Sequence, residues 1–386
     1  MESKFENNVL TIYLSGNIDS NNAESVGQEI DEIRKANPDG ALVLDLEDLV
    51  YISSAGLRQV LRLKKQEKDY KLINVSSDIY DIFEMTGFSE MMTIEKAYRK
   101  VSIDGLEKIG EGSNGIVYRI NDDTIIKVYK NAGALEDIKR ERELAKTALV
   151  LGVNTAIPFD VVKVGDTYGS IFELLSAKSV TKLVMGDEEN KEKYVKIFVN
   201  LLKEIHATQV KPNLLPDARL RAIGWCEDLK DYLDENTYTK LHTMLENVPE
   251  SLNMIHGDYH TNNVHYDGKE AILIDMDTLS TGNPVFEFSN FFLAYRGFGE
   301  LDKKCVEDFL KISWDAACYI LDKTFDLYFE GKPQEEIEQA KLKAQCVGFT
   351  RLYRRTLRRD KDNIALINHC HDRLVEVVSK VNDLAL

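Results

Sequence analysis

The sequence predicts a small α/β domain followed by a larger α+β region whose C-terminal part is mainly helical. Three observations predict it. Strand-length apolar runs alternate with amphipathic helical segments as far as about residue 92. After residue 105, three short strands follow one another through a glycine turn and a polar turn, with no helix between them. From about residue 178 the pattern is helical to the end, broken near 253–285 by short strands and loops. A chain of 386 residues suits two or three domains of about 100–200 residues each.

The elements follow in order. "VLTIYLS" (9–15) alternates as a strand, and the turn after it places Ser20 or Asn21 as cap of an amphipathic helix. "GALVLDL" (40–46) is a strand, and "YISSAGL" (51–57) leads into the next helix. "YKLINVS" (70–76) is a strand, and "DIYDIFEMTGFSEMM" (78–92) a helix ended at Gly87. The segment 93–105 reads as a domain boundary. Beyond it, "LEKIGEGSNGIVYRINDDTIIKVYK" (106–130) opens an antiparallel sheet, a charged helix spans 134–152, and "FDVVKVGDTYGSIFELL" forms a hairpin turning at Gly165-Asp166.

Charge and composition narrow the function. Sixty-five acidic against 49 basic side chains leave a net charge of −16, which disfavours nucleic-acid and anionic-membrane partners, since both need phosphate-neutralising surface. The five cysteines lie far apart with no C-x-x-C pair, so neither a zinc site nor a disulfide framework is indicated. "MESKFENNVL" has no signal-peptide pattern, and no apolar run reaches membrane-spanning length. The expectation is a soluble cytoplasmic protein.

The second part carries the chemistry. "GEGSNG" (110–115) with Ile116-Val117 fits G-x-G-x-x-G-x-V, where Gly110, Gly112 and Gly115 let backbone N–H groups approach phosphate oxygens. A strand rather than a helix follows, which argues against a dinucleotide-binding turn. Lys127 in "TIIKVYK" stands where a strand lysine would meet the α- and β-phosphates, with Lys130 a competitor. On the next helix Glu143 is the first candidate for the glutamate that fixes this lysine, and Glu141 the second. In "MIHGDYHTNNVHYDGKEAILIDMD" (254–277), Asp258 and Asn263 share a loop and Asp275 ends a later strand. Phosphoryl transfer needs such a set: a carboxylate to accept the acceptor proton, and an amide with a second carboxylate to hold Mg²⁺ on the phosphates.

"HGDYHTNN" resembles the H-G-D-x-H-x-x-N loop of the aminoglycoside phosphotransferase and choline kinase-like group, and "LIDMD" resembles its I-D-x-D metal segment. The resemblance covers about residues 106–386, in order. It implies a bilobal protein-kinase-like fold, with an N-lobe over 101–175 and a C-lobe over 176–386, and ATP in the cleft. It also implies Asp258 as catalytic base, Asn263 and Asp275 as Mg²⁺ ligands, Lys127 and Glu143 as the ion pair, and Glu173 and Leu175 as the adenine-binding hinge. His256 and His260 would order the loop, and Asp277 would assist the metal. The loop reads HGD rather than HRD, the metal segment IDMD rather than DFG, and no A-P-E element follows, which favours a small-molecule alcohol as acceptor.

Two further features stay open at this level. Arg351, Arg354, Arg355, Arg358 and Arg359 in "RLYRRTLRRDK" would either contact an anionic substrate or be ion-paired and solvated. The segment 225–250 offers acidic and aromatic groups for a cationic substrate, or is an exposed amphipathic helix.

In the N-terminal part, "SGNID", "ALVLDL", "YISSAGL" and "IFEMTGFSEMM" together resemble the anti-sigma factor antagonist type of STAS domain, over about residues 1–100. In that group the serine two residues before Gly-Leu is phosphorylated by a partner kinase, which here is Ser54; the residue before it, often Asp, is Ser53. A helix N-terminus stabilises a phosphate, and the added charge would unseat a protein partner. A plain helix cap is the alternative. No G-x-S-x-G accompanies these serines, which disfavours a hydrolase. The leading expectation is an ATP- and Mg²⁺-dependent phosphotransferase with a regulatory or partner-binding STAS module. The alternative is a signalling protein phosphorylated at Ser54, whose kinase-like half acts as protein kinase or nucleotide sensor.

Overall fold

The computed structural model describes residues 1–386 apart from 69, 113 and 132. The chain opens with β1 (Glu2–Glu6), β2 (Val9–Ile18), α1 (Ala23–Ala36), β3 (Ala41–Ile52), α2 (Ser54–Gln66), β4 (Tyr70–Val75), α3 (Ser77–Met85), α4 (Phe88–Met91) and β5 (Thr93–Lys96). The strands form one sheet in chain order. β1 joins β2 antiparallel, whereas β2, β3, β4 and β5 pair in parallel. Parallel neighbours need a crossover, and the intervening helices provide it. Leu10, Ile12, Leu42, Leu44, Leu72 and Phe83 meet in the core beneath them.

Three local features depart from the sequence reading. β1 lies outside the elements expected from the sequence; all its residues are exposed, so it lacks the apolar alternation that marks a half-buried strand. The first helix begins after Asn22 rather than at Ser20 or Asn21, because Asp19 and Asn22 accept from each other's backbone N–H groups at 2.8 and 3.3 Å and close a turn first. In "YISSAGL" the capping residue is Ser53, whose Oγ accepts from Gly56 N at 3.4 Å. Ser54 is the exposed first residue of α2. A Cβ at Gly56 would sit 2.6 Å from Ile52 and 2.9 Å from Ile18, so the glycine is there for close packing of the helix start on the strand ends.

The chain continues with β6 (Glu107–Glu111), β7 (Gly115–Arg119), β8 (Thr124–Tyr129), α5 (Leu135–Val150), β9 (Asp160–Val164) and β10 (Thr167–Glu173), the sheet order being β6-β7-β8-β10-β9. β11 (Lys178–Ser179), α6 (Val180–Gly186), α7 (Lys191–Ala207), α8 (Ala218–Glu227) and α9 (Glu235–Glu246) follow. Next come the short strands β12 (Met254–Ile255), β13 (Val264–Tyr266), β14 (Ala271–Leu273) and β15 (Ser280–Thr281). The helices α10 (Val285–Tyr295), α11 (Lys304–Leu310), α12 (Trp314–Tyr328), α13 (Gln334–Arg359) and α14 (Ile364–Lys380) complete the chain. α13 packs against α8, α10 and α14. α10 is apolar nearly all round and correspondingly buried.

By compactness the chain divides into Met1–Gly105 with Val161–Gly169, and Leu106–Asp160 with Ser170–Leu386. Among the described residues, no helix is long and apolar enough to cross a membrane.

Candidate active site

β8 alternates Ile126 and Val128, both buried, with Lys127, which therefore leaves the sheet on the opposite side. On α5 the buried positions are Ile138, Glu141, Leu144, Ala145 and Ala148, a helical stripe that carries one carboxylate inward. Lys127 Nζ lies 3.0 and 3.3 Å from the Glu141 oxygens and 3.2 Å from Asp275 Oδ1. Tyr129 donates its hydroxyl to Glu141 Oε2 at 2.7 Å, fixing the carboxylate from the far side. Burial pulls the Lys127 ammonium down, but Asp275 and Glu141 overcome it and hold the group above the ordinary lysine range. Glu143, the first candidate on sequence grounds, points off the stripe and pairs with Lys146 at 2.9 Å in solvent. The ion pair of Lys127 is with Glu141, and the assignment of Glu143 is corrected accordingly.

The glycine turn joins β6 to β7. Gly112 N donates to Gly115 O at 2.9 Å, and Lys130 N to Asn114 O at 3.0 Å. Ser113 of this turn lies outside the described residues. The three glycines differ in kind. A Cβ at Gly115 would meet Val128 O at 2.6 Å, so Gly115 serves the approach of β8. Gly112 has nothing within 4 Å of that position and Gly110 only Val117 at 3.8 Å, so their backbones border open space. Asn114 Nδ2 reaches Asp277 Oδ2 at 3.3 Å.

The loop after β12 is held from beneath by Glu287 of α10. This wholly buried carboxylate accepts from His256 N at 2.5 Å and Gly257 N at 2.9 Å. Burial pushes its pKa up, yet His206 and His256 hold it below the usual carboxylate range. Gly257 takes φ +84°, and a Cβ there would lie 2.7 Å from Thr278 O. His256 Nε2 bridges to Ile274 O at 3.2 Å, and Asp258 N donates to His256 Nδ1 at 3.3 Å. This assigns the ring's tautomer, with hydrogen on Nε2.

Asp258 leaves this frame with its carboxylate 3.7 Å from His260 Nε2. Burial raises its pKa, and His260, His256 and Arg351 together bring it below the ordinary aspartate value. Asn263 Nδ2 donates to Asp258 O at 3.0 Å. Among the described residues no protein donor takes the Asn263 Oδ1. Ile274 N donates to Asn263 O at 2.9 Å, tying β14 to the loop, and Asp275 follows in the left-handed region at φ +66°. A non-glycine residue there costs free energy and persists where the surroundings over-determine it. Asp277 is pushed up to about 7 by burial and by the charges of Asp275 and Glu141, with Lys127 opposing.

Lys127, Glu141 and Asp275 thus converge, and Asp258 and Asn263 share the adjoining loop. Glu173 and Leu175 instead line a cavity of about 650 Å³ with Asn154, Ile157 and Ile272, to which none of the polar residues named above contributes. A second cavity of about 440 Å³ is bordered by Asn114, Tyr129, Arg140, Glu141 and Asp277.

Models of known families match the chain in two parts. The STAS domain matches residues 1–101, and the phosphotransferase enzyme family matches residues 105–317. The second match spans more than half of the chain: the protein belongs to the phosphotransferase enzyme family, and a STAS domain precedes that part. Among solved structures, the chain is similar to ADP-bound aminoglycoside phosphotransferase APH(2'')-Ib, at 16% identity over 71% of this chain and 94% of that one, with a TM-score of 0.50. It is also similar to a thermostable mutant of aminoglycoside phosphotransferase APH(4)-Ia in ternary complex with AMP-PNP and hygromycin B, at 15% identity over 72% and 93%, with a TM-score of 0.49. The likeness to the first of these is one of fold.

Glu287 and Tyr129 were not among the residues expected to act here. A single glutamate inside the apolar run "VFEFSNFFLAY" is the signal that would have found Glu287, since a buried carboxylate must have partners. Tyr129 sits two residues after Lys127 in a strand and so on the same face, which is its signal.

Proposed function

We propose that the protein is an ATP- and Mg²⁺-dependent phosphotransferase that moves the ATP γ-phosphate to an alcohol hydroxyl, with 101–175 as its N-lobe and 176–386 as its C-lobe. One observation carries this reading: Lys127 is clamped between Glu141 and Asp275, while the same Asp275 is tied through Ile274 to the loop of Asp258 and Asn263. The ADP held by the first of the similar structures supports nucleotide as the donor.

Lys127 would neutralise the α- and β-phosphates, with Glu141 holding its ammonium and Tyr129 holding Glu141. The open backbone at Gly110 and Gly112 would border the phosphates, with Gly115 keeping the turn closed on β8. Glu173 and Leu175 would offer backbone groups to the adenine. Asp258 would orient the acceptor hydroxyl and take its proton; His260, His256 and Arg351 favour its ionised form, the form that can accept. Glu287 would hold the loop so that Asp258 needs no rearrangement.

The residues present fit a magnesium ion. The Asn263 amide oxygen and the Asp275 carboxylate are hard oxygen donors, and Asp258, Asp275, Asp277 and Glu141 outnumber Lys127 in this region. Magnesium characteristically takes one or two protein carboxylates together with substrate phosphates. Asn263 and Asp275 would hold it, with Asp277 assisting. When bound it supplies charge neutralisation on the phosphates.

The test is Mg·ATP binding by the purified full-length chain, followed by ADP release in a screen of alcohol acceptors with wild type and Asp258→Asn. Binding with turnover that Asp258→Asn abolishes supports the reading; no binding, or turnover unchanged by the substitution, removes it.

A second reading is favoured by one observation, the exposure of Ser54 at the first position of α2 with Ser53 already serving as cap. Ser54 would then be a phosphorylation site through which the STAS domain binds or releases a protein partner. Incubation with labelled ATP of wild type, Ser54→Ala and Asp258→Asn distinguishes a site modified from within from one left to another kinase.

A further inference from the structure

The arginine run of α13 divides into two groups. Arg354 and Arg358 both reach Asp228, at 2.6 and 3.4 Å, and are accounted for as ion pairs. Arg351, Arg355 and Arg359 recur every four residues on neighbouring turns, and none forms an ion pair among the described residues. The same holds for Arg221 on α8 and Arg140 on α5. In a chain with 65 acidic against 49 basic side chains, such a set is unexpected.

One of these arginines, Arg351, is linked to the loop of the proposed general base. Arg351 is half-buried, donates to Asn290 Oδ1, and places its guanidinium 5.7 Å from the Trp225 ring centre. Trp225 lies one turn beyond Arg221 on α8, so the ring connects the two helices. Asn290 in turn donates to Gly257 O at 2.8 Å, on the residue before Asp258. Arg355 lies 5.2 Å from the Phe298 ring centre, and Arg140 donates to Asp277 O at 3.4 Å. The group is electrostatically self-opposed. Burial weakens the charged form of Arg351; Asp258 supports it, and Arg221, Arg355 and Arg359 oppose it. Burial and the nearby Arg140 act the same way on Arg221, with Asp217 and Glu287 supporting its charge. Arg221 and Arg351 are half-buried, and Arg140, Arg355 and Arg359 are exposed. The two half-buried like charges raise the free energy of the empty site, and an anion entering between them relieves it.

We infer that Arg221 and Arg351, with Arg140, Arg355 and Arg359 at the margin, form the acceptor subsite for a small anionic alcohol, one that carries a phosphate or carboxylate besides the hydroxyl to be phosphorylated. The inference rests on the phosphotransferase reading and names its substrate class. In the reaction the acceptor oxygen bonds to the γ-phosphorus. The bond from that phosphorus to the β,γ-bridging oxygen breaks with its electron pair, ADP leaves, and the hydroxyl proton passes to Asp258. The guanidinium forks hold the remote anionic group by paired hydrogen bonds, with Trp225 and Phe298 keeping two of the planes in place. A polycationic acceptor meets like charge at the same place.

The experiment has two arms on the full-length chain. In the first, protein saturated with Mg·AMP-PNP is titrated calorimetrically with inorganic phosphate, glycerol 3-phosphate, glycerate, choline and kanamycin. Binding is expected for at least one of the anions and for neither cation, phosphate against glycerate separating the two kinds of anionic group. Arg351→Gln and the rim variant Arg355→Gln are each expected to weaken anion binding by about tenfold, the usual size for one charge-assisted contact, with AMP-PNP affinity unchanged. Binding of the cations alone, no binding of any anion, or anion binding equal in wild type and both variants overturns the subsite. In the second arm, ADP release from Mg·ATP is followed with the same alcohols. Turnover confined to the anionic alcohols, with acceptor KM raised and ATP KM unchanged in Arg355→Gln, supports the assignment, and turnover confined to choline or kanamycin overturns it. If Mg·AMP-PNP fails to bind while the anions bind through these arginines, the phosphotransferase reading falls and the anion site stands.

Discussion

Lys127 stands between two carboxylates from different parts of the chain, Glu141 at 3.0 Å and Asp275 at 3.2 Å. The relationship makes a sharp distinction between two neighbouring glutamates on one helix. Glu141→Gln is expected to lower kcat/KM for ATP by about 10- to 100-fold, and Lys127→Met by about 100- to 1000-fold, as for loss of a preorganised charge. Glu143→Gln, whose partner Lys146 is exposed, is expected to leave it within about twofold. Steady-state kinetics on the three variants, once an acceptor is in hand, or AMP-PNP affinity before that, checks the order.

Glu287 is expected to matter for stability and for the loop at once. Glu287→Ala leaves the His256 and Gly257 N–H groups buried without their acceptor, at about 1–3 kcal/mol for each orphaned donor. Because the folded-state pKa is depressed, this carboxylate contributes stability above the unfolded value near about 4.3, and the contribution is lost as pH falls from there through the folded pKa. Chemical denaturation of wild type and Glu287→Gln between about pH 3 and 7 tests this: the wild type should lose more stability over the acid part of that range than the variant.

The glycines of the turn should separate fold from binding. Gly115→Ala forces a Cβ to 2.6 Å from Val128 O and is expected to destabilise by about 1–3 kcal/mol, with nucleotide affinity falling only as unfolding does. Gly112→Ala meets open space, so its melting temperature should stay near wild type while AMP-PNP binding weakens. Parallel melting and titration experiments give the comparison.

At the start of α2, Ser53→Ala is expected to cost about 1 kcal/mol through loss of the cap, and Ser54→Ala less than about 0.5 kcal/mol. Equal losses from the two substitutions would contradict the assignment of the cap. The same measurement shows whether Ser54 can be replaced without disturbing the fold, which the labelling experiment requires.

Part of the candidate site was legible in the sequence. Asp258, Asn263 and Asp275 stood out because the oxygens that phosphoryl transfer needs are carried on strand ends and loops in a fixed order, and order survives in a sequence. The choice between Glu141 and Glu143 needed helical phase. Glu141 lies three residues after Ile138 and four before Ala145, on the apolar stripe, and that periodicity was available in the residues. β1 was not legible, since an exposed edge strand buries nothing and leaves no pattern. Nor was the division of the α13 arginines. Asp228 lies more than a hundred residues before its partners, and only the packing of α8 on α13 brings them together.

The central claim is that the Lys127, Asp258, Asn263 and Asp275 constellation transfers phosphate from ATP to an alcohol. The most direct test is release of ADP from Mg·ATP by wild type and Asp258→Asn across anionic, neutral and cationic alcohols, with AMP-PNP affinity measured on both. The account predicts acceptor-dependent ADP release by wild type, lost by about 1000-fold or more in Asp258→Asn while AMP-PNP affinity is retained. Acceptor-dependent release that persists at the wild-type rate in Asp258→Asn would contradict it.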